Sequence, residues 1–302
     1  MQQDKTRGVL YYNSGSSCLI RMIVSLYSLR KVYDGNISIL YPKRDIEEKP
    51  FSIKTCHKIG KIFNCDIQEI DMGVPKGKNR VFLERTKYHT ITPYEISLSI
   101  DSDTVIIDKR ITDYFDAAEE NEFALAQFSD WKPNNGVIRK RIAYWEKHYP
   151  EDVQAAWDFG HGINCGLFAF RKDSQIMQQW YDKAIIGRET FIADESCMQL
   201  LIPHNPVKIM GSEYNTSCKY DKNIHKADYP VVIHFHGKKH CRMSDEGYPT
   251  NNAEYWLYYF NQCIENNIFK QLNIDIVYSD YDDKTFRKNQ TLIHRYLKEM
   301  NE

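Results

Sequence analysis

The sequence predicts an α/β fold on a mixed, mainly parallel sheet flanked by helices, with a helical C-terminal extension. Three observations lead there. Strand and helix signals alternate over roughly the first third of the chain. A strictly alternating apolar segment, residues 95–100, runs straight into an acidic triplet. Past residue 241 the pattern turns to short, aromatic-rich helical segments.

The elements follow in order. Residues 9–12 read as a strand ending in Asn13-Ser14-Gly15. Ser16 or Ser17 can cap a helix whose apolar positions include Leu19, Ile23, Leu26 and Leu29. Asp34-Gly35 stops that helix, and residues 37–41 form a second strand before Pro42. A helix carrying Ile59, Ile62 and Phe63 precedes a short strand at 67–70. This β-α-β-α-β order is that of a doubly wound sheet. Ile96, Leu98 and Ile100 share one face of the next strand, and residues 166–170 and 231–233 are two further candidates. The Tyr255-Trp256-Leu257-Tyr258-Tyr259-Phe260 stripe is expected to pack back on the main unit, giving a catalytic domain over 1–240 and an extension over 241–302. Several polar clusters fall at strand ends, where open α/β sheets bind ligands.

Composition narrows the function classes. At 302 residues with 42% hydrophobic and 27% charged residues, the chain can bury a large core. A net charge of −1 supplies no global attraction to nucleic acid or anionic membrane. No apolar run approaches the roughly 18 residues of a spanning helix, and residues 1–7 are polar. The expectation is a cytoplasmic protein, or one of a host cytosol if the source is viral. The eight cysteines are scattered without a C-x-x-C pair, and Cys18, Cys56 and Cys197 lie in apolar helical contexts, so reduced, buried thiols are expected.

Asp101-Ser102-Asp103 is the centre of the candidate chemistry. Carboxylates at i and i+2 just past a buried strand can both reach one divalent cation, which would bridge two phosphates. An Asp-x-Asp triplet is by itself more often a solvated turn. Its place between two apolar strands argues otherwise. His234 is the natural third ligand, although spacing alone leaves His236 and His240 open. An imidazole beside two carboxylates suits Mn²⁺ better than Mg²⁺. Gly237 permits close backbone approach to a phosphate, with Lys238 and Lys239 as adjacent positive charge, against the plainer reading of a solvated basic turn. Between 128 and 157, Trp131, Arg139, Lys140, Arg141, Tyr144, Trp145 and His148 could line an acceptor site. An amphipathic surface helix with Ile142 and Trp145 inward is favoured there. Phe159-Gly160-His161-Gly162 reads as a flexible lead into the following strand.

Four elements in order resemble glycosyltransferase family 8, the glycogenin-like enzymes. They are Thr86-Lys87-x-His89 with Tyr94 and Ile100-Asp-Ser-Asp-Thr104; Asn164-Cys-Gly-Leu-Phe-Ala-Phe170; Asp194-Glu195; and Val232-Ile-His-Phe-His-Gly237. The resemblance implies a GT-A (Rossmann-like) fold and a metal-dependent transfer of a hexose or related sugar from a nucleotide-diphosphate donor, UDP-linked, with retention. It implies Asp101, Asp103 and His234 as ligands of Mn²⁺ (or Mg²⁺), with Asp101 and Ser102 also near the donor. It further implies Lys87 at the phosphate or sugar, Asn164 at the sugar, and Asp194 on the sugar hydroxyls. Gly237 with Lys238 or Lys239 would steady the diphosphate, and Asn13, Ser14 and Gly15 would border the nucleoside. Two departures stand out. Lys238-Lys239-His240-Cys241 replaces the family's x-x-Lys-Pro-Trp, and Glu195 replaces a glutamine near the anomeric carbon, where it could act as nucleophile, base or salt-bridge partner. The acceptor is open among glycans, proteins and modified nucleic acid. The rival expectations are a sugar-phosphate nucleotidyltransferase and a catalytically degenerate sugar- or nucleic-acid-binding module.

Overall fold

The computed structural model describes residues 6–13, 16–43, 53–77, 79–132, 136–190, 192–218, 225, 227–235 and 252–274. Their strands are β1 (Arg7–Tyr12), β2 (Asn36–Pro42), β3 (Asp66–Ile70), β4 (Ile96–Ile100), β5 (Thr104–Ile106), β6 (Phe123–Asp130), β7 (His161–Arg171), β8 (Val207–Met210), β9 (Thr216–Ser217) and β10 (Val232–His234). The α-helices are α1 (Ser16–Arg30), α2 (Ile53–Phe63), α3 (Arg80–Arg85), α4 (Asp113–Asn121), α5 (Gly136–His148), α6 (Pro150–Phe159), α7 (Gln175–Ile186), α8 (Ala193–Leu201), α9 (Ala253–Glu265) and α10 (Ile268–Gln271).

Seven strands form the main sheet in the order β3-β2-β1-β4-β7-β6-β8. Only β7 runs against its neighbours; the other pairings of β1, β2, β3 and β4, and of β6 with β8, are parallel. Successive strands step outward from β1 to β3, and the chain then returns to place β4 on the other side of β1. That reversal makes the carboxyl ends of β1 and β4 a topological switch point, the usual ligand position in such sheets. A second sheet, β5-β10-β9, stands beside it.

Helices cover both faces, so strand residues are buried alternately into two cores. Val9, Tyr11, Ile37, Ile39, Leu98 and Ile100 face a core shared with α1 and the C-terminal helices, whereas Leu10, Leu40, Phe168, Phe170 and Trp180 fill the other. The expected apolar face of β4 is confirmed. Its polar face is buried as well, because the Ser97 hydroxyl bonds that of Thr92 at 2.6 Å instead of meeting water.

Residues 159–162 do not form the expected loose lead-in. Gly160 is the left-handed C-cap of α6 at φ 74°, and His161 and Gly162 already belong to β7. In α5, Ile142 and Trp145 are buried, as the amphipathic reading requires. The seven described cysteines form no disulfide. Among the described residues no helix is long and apolar enough to cross a membrane.

The C-terminal stripe packs inward on α9. Trp256 and Phe260 stack at 4.9 Å and join the core that α1 lines, while the Asn266 side chain donates to the Tyr27 hydroxyl at 3.0 Å. Trp256 is fully buried, so Trp256→Ala should cost about 3–5 kcal/mol. Urea unfolding would show that loss, and an unchanged midpoint would mean the extension is not part of the cooperative fold.

Candidate active site

The site is built on two strand ends. Tyr11 pairs with Ile100 between β1 and β4, so Tyr12 and Asp101 come next in register at the carboxyl edge, with Asn13 one residue beyond. Asp101 continues the ladder by donating its N–H to the Gly166 carbonyl at 2.8 Å. The chain then turns through Ser102 and Asp103 into β5. Beneath that turn, buried hydroxyls link Tyr11 to Ser25 (2.8 Å) and Ser25 to Thr104 (2.9 Å), and Thr104 donates to the Asp101 carbonyl at 2.9 Å. These bonds fix the turn from the core side.

His234 arrives from β10. It pairs antiparallel with Thr104, and Phe235 donates its N–H to the Asp103 carbonyl at 2.7 Å. The imidazole is buried, with Nε2 at 3.2 Å from an Asp103 oxygen and Nδ1 at 3.1 Å from Oδ1 of Asn215. Burial works against its charged form, but the Asp103 and Asp101 carboxylates together outweigh burial and raise its pKa above the usual value. One donor atom from each of Asp101, Asp103 and His234 lies within 4.8 Å of the others. The expected triad therefore converges, and His234 is its imidazole; His236 and His240 lie outside the described residues.

Asn164, Asp194 and Glu195 meet the same edge. Asn164 on β7 accepts the Gly166 N–H at 3.0 Å and donates to Glu195 at 2.9 Å. Arg141 holds the other Glu195 oxygen at 2.7 Å, so the glutamate's ion pair is with an arginine. Asp194, at the start of α8, is 1% exposed, and its Oδ1 has no hydrogen-bond partner. Arg85 ties the groups together. Its guanidinium lies 3.0 Å from Asp101 and 3.5 Å from Asp194, and it donates to the Cys165 carbonyl at 2.7 Å. Burial opposes the Arg85 charge, yet the two carboxylates more than offset it and raise its pKa.

Lys87 points elsewhere: its Nζ donates to the Met72 carbonyl at 2.7 Å and lies 4.8 Å from the Tyr181 ring centre. Ser14, Gly15, Gly237, Lys238 and Lys239 lie outside the described residues. Two residues of the site, Arg85 and Asn215, carried no sequence signal, and Gly166 reads only as part of the Asn-x-Gly strand. Arg85 looks like any charge on a short helix. Asn215 precedes a strand of two residues. A Cβ at Gly166 would lie 2.1 Å from Cε1 of His234.

Two outcomes follow. Gly166→Ala should destabilise the fold by about 1–3 kcal/mol through overpacking and push the imidazole from its seat, which urea unfolding and histidine NMR would register. Burial raises Asp194 from 3.8 to about 7, against the pull of Arg85. The folded carboxyl thus holds its proton more tightly than the unfolded one, and its contribution to stability falls as pH rises from about 4 to about 7. Asp194→Asn should flatten that slope, raising the melting temperature at pH 8 relative to the parent more than at pH 4.

No protein-family model and no curated protein matches the sequence. Solved structures do. The bifunctional glycosyltransferase WbbM superposes with a TM-score of 0.61 at 13% identity, over 90% of this chain and 52% of WbbM. The chain thus spans about half of that protein's length. The galactosyltransferase LgtC, solved with donor and acceptor sugar analogues, gives 0.57 at 10% identity over 93% and 99% of the two chains. GlyE of Streptococcus pneumoniae TIGR4, a glycosyltransferase, gives 0.55 at 14% identity over 89% and 64%. At these identities the likeness is one of architecture, and the fold of this chain is GT-A.

Proposed function

We propose that this protein is a metal-dependent glycosyltransferase that moves a hexose or related sugar from a UDP-linked donor to an acceptor hydroxyl with retention. The observation that carries the reading is the convergence of Asp101, Asp103 and His234 at the switch point of a GT-A sheet. The family 8 motifs and the glycosyltransferase neighbours support it.

The donor set fits a divalent cation. Two carboxylate oxygens and an imidazole nitrogen are within one coordination sphere's reach, and the contact of His234 Nδ1 with Asn215 leaves Nε2 on the side of Asp103. The mixed nitrogen and oxygen shell suits Mn²⁺, with Mg²⁺ as the substitute. Bound there, the cation would offset negative charge gathering on the departing nucleoside diphosphate.

The remaining work falls to side chains. The unpartnered Oδ1 of Asp194 is a ready acceptor for a sugar hydroxyl. Asn164 and Glu195 hold each other at the same edge, and both Glu195 oxygens are bonded. A carboxylate fixed in this way is suited to stabilising oxocarbenium character on the sugar from a set position. Arg85 keeps Asp101 and Asp194 in register. Asn13, Ser14 and Gly15 border the nucleoside, and Gly237 with Lys238 or Lys239 serves the phosphates, while Lys87 is committed to the Met72 carbonyl and takes no part there.

A panel of nucleotide-sugars, assayed with Mn²⁺ for release of nucleoside diphosphate, tests this reading. One donor should be hydrolysed slowly without acceptor and faster with it, and chelator should stop both. Asp103→Asn should lower the rate by at least about 100-fold with an unchanged unfolding midpoint. Pyrophosphate release from nucleoside triphosphate plus sugar phosphate, or chelator-insensitive turnover, would overturn it.

A further inference from the structure

We infer that Asn215 is a positioning residue for the metal centre, and that it sets which nitrogen of His234 faces the cation; this rests on the metal-site reading above. A chain of hydrogen bonds starts from a group whose direction is beyond choice, the backbone N–H of Gly166. That N–H points at Oδ1 of Asn164 at 3.0 Å. The Asn164 oxygen is thereby fixed, and its amide nitrogen is turned to Glu195.

Asn215 reads that orientation. Its Nδ2 donates to the same Asn164 oxygen at 3.2 Å and to the Asn164 carbonyl at 3.4 Å. With the nitrogen end committed there, the oxygen end faces His234 Nδ1 at 3.1 Å. An amide oxygen only accepts, so Nδ1 must carry the proton. In the neutral ring Nε2 then keeps its lone pair, and Nε2 is the atom beside Asp103 at 3.2 Å. A flipped Asn164 amide would set its Nδ2 against the Gly166 N–H, and a flipped Asn215 amide would set its oxygen against the two Asn164 oxygens.

The fold holds the pieces in place. Asn215 is 1% exposed, and Thr216, the next residue, pairs with Ile233 in the small sheet. The bare Cα of Gly166 leaves room for both the imidazole and the Asn164 oxygen, which a Cβ would meet at 2.1 and 2.8 Å. Metal-bound histidines are typically oriented by such a partner on the other nitrogen, and losing it costs roughly 10- to 100-fold in metal affinity. A residue that only satisfied buried polar groups would affect stability instead.

The test is Mn²⁺ titration by EPR of the full chain and two variants, with unfolding midpoints measured without metal. Asn215→Leu removes the acceptor and should weaken Mn²⁺ by roughly 10- to 100-fold. Asn215→Asp keeps an acceptor for Nδ1–H while losing the donation to Asn164, and should bind Mn²⁺ within about three-fold of the parent. If Asn215→Leu does not fold, Asn215→Asp decides alone, since a role exerted through Asn164 would make it lose affinity. Parent-like binding by Asn215→Leu, or a loss of more than 10-fold by Asn215→Asp, overturns the relay and leaves the metal site standing. A parent protein that binds no Mn²⁺ overturns both.

Discussion

The candidate site depends on like charges held closer than they would choose. Asp101, Asp103 and Asp194 converge at one sheet edge, and Arg85 and His234 are the counter-charges set among them. Such an arrangement survives burial only when each charge is hydrogen-bonded and the backbone beneath cannot relax. Here the backbone is locked from both sides. The β4–β7 ladder runs through Asp101, and the hydroxyl series from Tyr11 to Thr104 holds the following turn. Much of the local architecture can be read as the support needed to keep those carboxylates together.

The scaffold was legible in sequence because period and position agree there. The first three strands were read within a residue or two at either end, since turn residues such as Asp34-Gly35 and Pro42 punctuate them. The acidic triplet was legible for the same reason: an apolar strand with a polar end announces a site in an α/β sheet. His234 could be narrowed only to a group of three histidines, because choosing among them needs the β5–β10 pairing.

What escaped was long-range or conformational. Arg85 joins two carboxylates 16 and 109 positions away in sequence, a relation that no local pattern encodes. Asn215 gains its role from a two-residue strand too short to show periodicity. Residues 159–162 were misread for a different reason. Two glycines in four positions suggest looseness, yet one caps a helix and the other lets β7 approach Ser129, whose Oγ a Cβ would meet at 2.3 Å.

The reversed direction of β7 has a consequence for how such a protein can diversify. Because β6 ends and β7 begins at the same rim, the chain between them, residues 131–160, leaves and re-enters the scaffold beside the chemistry. It behaves as a cassette. Its α5 and α6 could lengthen, shorten or change composition over evolutionary time while the strand order stays intact. The surface above the sheet could then change while the strand ends that carry Asp101 and Asn164 stay fixed.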